Sequence, residues 1–117
     1  RHRRDVKKLS RKRDHRVSLL KNLSATFAMH GKLTTTTTKA KAFVRFYEHL
    51  ISLAKRRKET FYPIRVAKKF LFSVPAQRAF VARLKDIKGN SGFLRLTKMG
   101  FRKGDAAETT LVELKNN

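Results

Sequence analysis

The chain contains no cysteine, which excludes disulfides and thiolate metal sites. Acidic residues are scarce, with 8 Asp and Glu against 30 Lys and Arg and a formal charge of +22. Such a surplus repels itself in a compact state unless a polyanion neutralises it. Nucleic acid is the commonest partner of that kind, and an anionic membrane is the second. Long apolar runs are also missing. None approaches the length of a membrane span, and the opening residues carry no signal-peptide pattern, so no membrane span is expected. Tryptophan is absent, which decides nothing. What is present suffices for a modest core. Hydrophobic residues make up 40% of 117 positions and include nine Phe, so the chain is not wholly disordered and has room for one domain.

Catalytic patterns are missing as well. The acids Asp5, Asp14, Glu48, Glu59, Asp86, Asp105, Glu108 and Glu113 are scattered, and no pair has the spacing of a general acid and base. His2, His15, His30 and His49 show no metal-ligand spacing. No nucleophile motif surrounds a Ser or Thr. The stretch Gly100–Gly104 lacks both the phosphate-loop fingerprint and the helix that follows it. The expectation is therefore no enzyme, no cofactor, no metal and no small-molecule substrate.

The organising stretch runs from Thr38 to about Lys55. Ala40, Phe43, Val44, Tyr47, Leu50, Ile51 and Ala54 recur there at the repeat of one helix face, uninterrupted by Gly or Pro. A helix of that length spans on the order of 27 Å. Its other face carries Lys41, Arg45, Glu48, Ser52 and Arg56, so an apolar side backs a mostly cationic one.

Ahead of it, residues 1–13 read as a basic extended arm and 14–117 as a single globular domain. Within residues 1–16, nine cations oppose Asp5 and Asp14, and Val6 and Leu9 cannot anchor a core. Alone the arm should be disordered, with a reach of roughly 40–45 Å. A first helix is expected from Asp14, as N-cap, to His30, with Leu20, Leu23 and Phe27 on its inner face and Gly31 as a left-handed stop. Lys32–Thr36 reads as a strand with Leu33 inward, and the later hydroxyls of Thr34–Thr38 as caps for the long helix. Pro63 opens a third helix with Val66, Ala67, Phe70 and Leu71 inward. Pro75 breaks it and opens a fourth, where Ala76, Phe80, Leu84 and Ile87 recur until Gly89. Then the period changes. Phe93–Met99 alternates, with Leu94 and Leu96 on one side, and Thr109–Lys115 forms its hairpin partner across a loop of about six to nine residues. The expected fold is α/β of α+β type: helix, strand, three helices, two strands. A small three-stranded mixed sheet lies covered by helices on one face, and the first strand joins the edge formed by the last.

Cations recur in every segment, which suits phosphate and shape recognition better than base reading. The candidate nucleic-acid contacts are Arg1, His2, Arg3, Arg4, Lys7, Lys8, Arg11, Lys12, Arg13, His15, Arg16, Lys21, Asn22, Lys39, Lys41, Arg45, Lys55, Arg56, Arg57, Arg95, Lys98, Arg102 and Lys103. Asn22 serves equally well as an interior hydrogen-bond partner. Phe61, Tyr62 and Phe101 fall in connections, where such rings either stack on bases or close the edge of a core. A basic architectural DNA-binding protein is the alternative reading of the charge.

Several runs carry a resemblance. Arg1-His2-Arg3, Leu9-Ser10-Arg11, His15-Arg16, Lys21-Asn22-Leu23, His30, Thr35-Thr36, Lys39-Ala40-Lys41 and Leu50-Ile51-Ser52-Leu53-Ala54-Lys55 stand in the order of the bacterial-type large-subunit ribosomal protein numbered seventeen. Gly92-Phe93-Leu94-Arg95-Leu96-Thr97-Lys98, Arg102-Lys103-Gly104-Asp105-Ala106-Ala107 and Val112-Glu113-Leu114 resemble its closing motifs. Residues 56–91 match poorly, with only Val81-Ala82-Arg83-Leu84 similar to the family. Ser91, Phe93 and Glu108 replace its usual Gly, Tyr and Pro. The resemblance implies a structural role on large-subunit ribosomal RNA near the outer rim of the peptide exit tunnel, beside other ribosomal proteins. The implied location is the ribosome, in bacterial cytoplasm or an organelle matrix.

Overall fold

The computed structural model describes residues 9, 12–57, 61–89 and 92–115. The elements are α1 (Arg13–His30), β1 (Lys32–Thr36), α2 (Thr37–Lys55), α3 (Tyr62–Phe70), α4 (Val74–Leu84), β2 (Leu94–Phe101) and β3 (Glu108–Leu114). This is the expected order of helix, strand, three helices and two strands.

α2 organises the rest. Every apolar residue of its predicted face is buried except Val44, which is half-buried. Phe43 and Tyr47 meet Phe27 of α1 with ring centroids 5.3 and 4.8 Å apart, and Tyr47 meets Phe80 of α4 edge-on at 5.7 Å. Aromatic pairs at these tilted geometries add attraction beyond the area they bury. Burial holds the Tyr47 phenol protonated well above its ordinary range, against an opposing influence from the Arg83 guanidinium.

The sheet order is β1-β3-β2, and both pairings are antiparallel. The first strand does join the last, but the sheet is not mixed. β1 enters from α1 through a single glycine, and its direction then opposes β3, which lies between its two neighbours. Leu33, Val112 and Leu96 align across the three strands, so they share one face. Leu33, Val112, Thr110 and Leu94 on that face are buried, beneath α2. The other face carries the row Lys32, Glu113 and Arg95. α3 and α4 pack chiefly on α2 and α1 rather than on the sheet.

Three local expectations are corrected. Lys12, not Asp14, is the N-cap of α1, with no side-chain cap bond; Asp14 sits in the first turn, where its charge suits the positive end of the helix. Thr36 caps α2 without a side-chain bond. The Thr37 hydroxyl instead bonds the Glu108 carboxylate at 2.9 Å and the Thr110 hydroxyl at 2.8 Å, tying the start of α2 to β3. α4 ends at Leu84, well before Gly89, because the chain turns at residues 85 and 86 to fold Ile87 back onto the core. Gly31 does stop α1 in the left-handed region, with φ +76° and its N–H donated to the Phe27 carbonyl.

Candidate nucleic-acid interface

The regular spacing of α2 sets out a line of polar residues opposite its buried face. Lys41, Arg45, His49, Ser52 and Arg56 are all exposed, at steps of four, four, three and four that keep them on one side of a helix. His49 belongs to this line although it was not among the predicted contacts; the three-and-four spacing that selects Lys41 and Arg45 also selects it. Lys39 is half-buried. Glu48, read as part of the cationic face, turns away from it. Its Oε2 accepts the Phe93 backbone N–H at 2.7 Å and pins the entry of β2 to α2.

The hairpin supplies a second set. Arg95, Lys98, Arg102 and Lys103 are exposed. Lys98 lies 3.9 Å from Glu108. The Arg102 guanidinium grips both oxygens of Asp105, with Nε 3.1 Å from Oδ1, and Asp105 also accepts the Ala107 N–H at 3.2 Å. The Arg102 bond, helped by the Ala107 N–H, lowers the Asp105 pKa from 3.8 to about 2. The same pairing raises Arg102 further above its ordinary value. Arg102 therefore locks the loop at residues 102–107, where Ala106 adopts a left-handed φ of 55°, and is not simply a solvated cation.

Several other predicted contacts have internal duties. Lys55 Nζ donates to the Ile87 and Gly89 carbonyls at 2.8 and 3.2 Å and lies 5.4 Å from the Phe93 ring centre. Lys21 lies over Phe72 and Arg57 over Tyr62, each at 5.1 Å. On α1 and its cap, Lys12, Arg13, His15 and Asn22 are exposed and Arg16 is half-buried. The Asn22 side chain thus faces solvent rather than the interior. Arg1, His2, Arg3, Arg4, Lys7, Lys8 and Arg11 lie outside the described residues. Phe61 and Phe101 are 70% and 72% exposed, so neither closes a core edge; Tyr62 is half-buried.

Acids are consumed by the fold. Glu48, Asp105 and Glu108 all accept hydrogen bonds within it, so these three carboxylates have partners inside the chain. Among the described residues, no group of three or more His, Cys, Asp or Glu side chains is placed to hold a metal ion. No helix among them is long and apolar enough to cross a membrane.

These features define a class: a small, strongly basic α+β protein with separate cationic surfaces on a long helix and a hairpin. The family model described as Ribosomal protein L17 matches residues 19–115. A Large ribosomal subunit protein bL17 from Chloroflexus aggregans is 40% identical, over 97% of this chain and 98% of its own length. Proteins of the same name from Coprothermobacter proteolyticus and Thermotoga neapolitana are each 38% identical, over 95% and 97% of this chain and 95% and 93% of theirs. The chain belongs to the ribosomal protein L17 family. It is thus a bacterial-type protein of the large ribosomal subunit, structural and not enzymatic.

Proposed function

We propose that this protein binds and stabilises large-subunit ribosomal RNA, with the cationic line on α2 and the basic hairpin as its two anchoring surfaces. The observation that carries the reading is the segregation on α2, whose inner side is sealed in the core while Lys41, Arg45, His49 and Arg56 stand in solvent. Basic side chains on a rigid rod meet phosphates at fixed spacing, which gives register without base reading. Phosphate neutralisation releases counterions, so affinity must fall steeply as salt rises. The arm ahead of the Lys12 cap, residues 1–11, adds cations that bind RNA and thread between its helices.

The remaining partners are neighbouring large-subunit ribosomal proteins, and the position is near the rim of the peptide exit tunnel. The family resemblance supports that placement. It is tested by cross-linking the chain within intact large subunits: cross-links to proteins remote from the tunnel exit would rule it out.

For RNA binding, the decisive experiment compares the parent chain with Lys41→Glu/Arg45→Glu/Arg56→Glu on a large-subunit RNA fragment. The substituted side chains are exposed, so the helical circular dichroism spectrum should be retained while binding weakens at least about tenfold and the salt slope falls by about three. Unchanged affinity would refute the reading. Duplex DNA at matched salt separates it from a DNA-compacting role, which predicts equal or tighter binding to DNA. Deleting residues 1–11, which stops short of the Lys12 cap, should leave the helical spectrum intact yet impair incorporation into large subunits.

A further inference from the structure

α3 and α4 pack side by side and leave a groove of about 480 Å³ between them. Its walls are apolar. Ile64 and Val74 are 37% and 54% exposed there, and Val81 adds a half-buried surface. Lys68, Arg78 and Lys85 stand in the lining and are exposed. No acidic side chain lines the groove among the described residues. This combination differs from α2, whose outward line is polar throughout and offers phosphates no greasy floor.

We propose that the groove docks an acidic amphipathic helix of a protein partner. The apolar walls call for aliphatic side chains at helical spacing, as grooves between two helices do. The three cations select acidic residues beside those anchors and penalise a basic helix. A nucleic acid would satisfy the cations but leave Ile64 and Val74 without apolar contact, whereas its interfaces are predominantly polar. The dimensions fit. α3 and α4 span on the order of 13 and 16 Å, which matches two to three turns of a partner helix. Contact of that extent lies at the small end of specific interfaces, so the complex is weak and transient. The groove is lined by none of the residues of the α2 line or the hairpin.

The test uses the full chain and a fluorescein-labelled peptide of about twelve residues, with Leu at i, i+3, i+4 and i+7 and Glu elsewhere. Anisotropy is read at about 0.3 M salt, where long-range attraction to the net positive charge is screened. Saturable binding is expected. Ile64→Asn/Val74→Asn, which keeps every charge, should weaken it at least about tenfold. Lys68→Glu/Arg78→Glu/Lys85→Glu should do the same, and provides the answer if the first variant fails to fold. Lys41→Glu/Arg45→Glu/Arg56→Glu should leave peptide affinity within about twofold. A scrambled peptide of equal charge should bind at least about tenfold more weakly. The proposal is overturned by absence of binding, by equal binding of the scrambled peptide, or by groove variants that bind as the parent does. It is equally overturned if Ile64→Asn/Val74→Asn weakens binding to the RNA fragment instead, which would make the groove a nucleic-acid surface. Failure of the α2 variant to lose RNA would reject the RNA reading and leave the groove untouched.

Discussion

Single residues show how this fold uses polar groups that composition marks only as charge. Arg83 donates from Nε to the Ala28 carbonyl at 2.8 Å and so closes the end of α1 from α4. Gly31 lies directly beneath it. A methyl group added at Gly31 would stand 2.9 Å from Arg83 Nη1, at a backbone φ of +76°. Gly31→Ala is therefore expected to cost about 1–3 kcal/mol, read as a lowered urea midpoint with unchanged m-value. Asp105 makes a second residue-scale case. Its folded pKa is depressed, so the clip with Arg102 holds above the unfolded value near 3.8 and is lost as pH falls through about 2. Carbon-detected NMR of the Asp105 carboxyl should titrate near 2, and Arg102→Gln should return it toward the ordinary range while loosening the loop at residues 102–107.

At the scale of elements, α2 carries both the core and the outward cationic line. Phe43 is fully buried between Phe27 and Tyr47. Phe43→Ala should therefore cost about 3–5 kcal/mol, measured by chemical denaturation. A loss below 1 kcal/mol would remove α2 from the centre of the fold. The periodicity of α2 was readable because every turn repeats the same three-and-four spacing, and the same logic located Phe27, Val66 and Phe80 inside. Element ends were less legible. α4 stops at Leu84 although the apolar spacing continues to Ile87, since a turn delivers Ile87 to the core as well as another helical turn would. The antiparallel pairing of β1 with β3 has no local signature; it follows from where α2 places its first turn, held by Thr37 against Glu108 and Thr110.

For the molecule as a whole, the charge of +22 makes salt act in opposite directions on folding and on binding. Self-repulsion is screened as ionic strength rises, so Tm of the free chain should increase between about 0.05 and 0.5 M salt. RNA affinity should fall over the same range. Parallel melting curves and binding isotherms check this, and a Tm that drops with salt would mean that internal ion pairs outweigh the surface repulsion.

The amino-acid order alone was enough for the succession of elements, the inward faces and the basic character of the surface, because each rests on composition or on spacing within a few residues; the family came from the resemblance of motifs spread along the chain. Which charged groups are tied to the chain's own backbone was settled only by folding. Lys55 reaches Ile87 and Gly89, Arg83 reaches Ala28, and Glu48 reaches Phe93. These partners stand dozens of positions apart in the chain, and a charge in the sequence carries no mark of the carbonyl or amide that three-dimensional packing will bring to it.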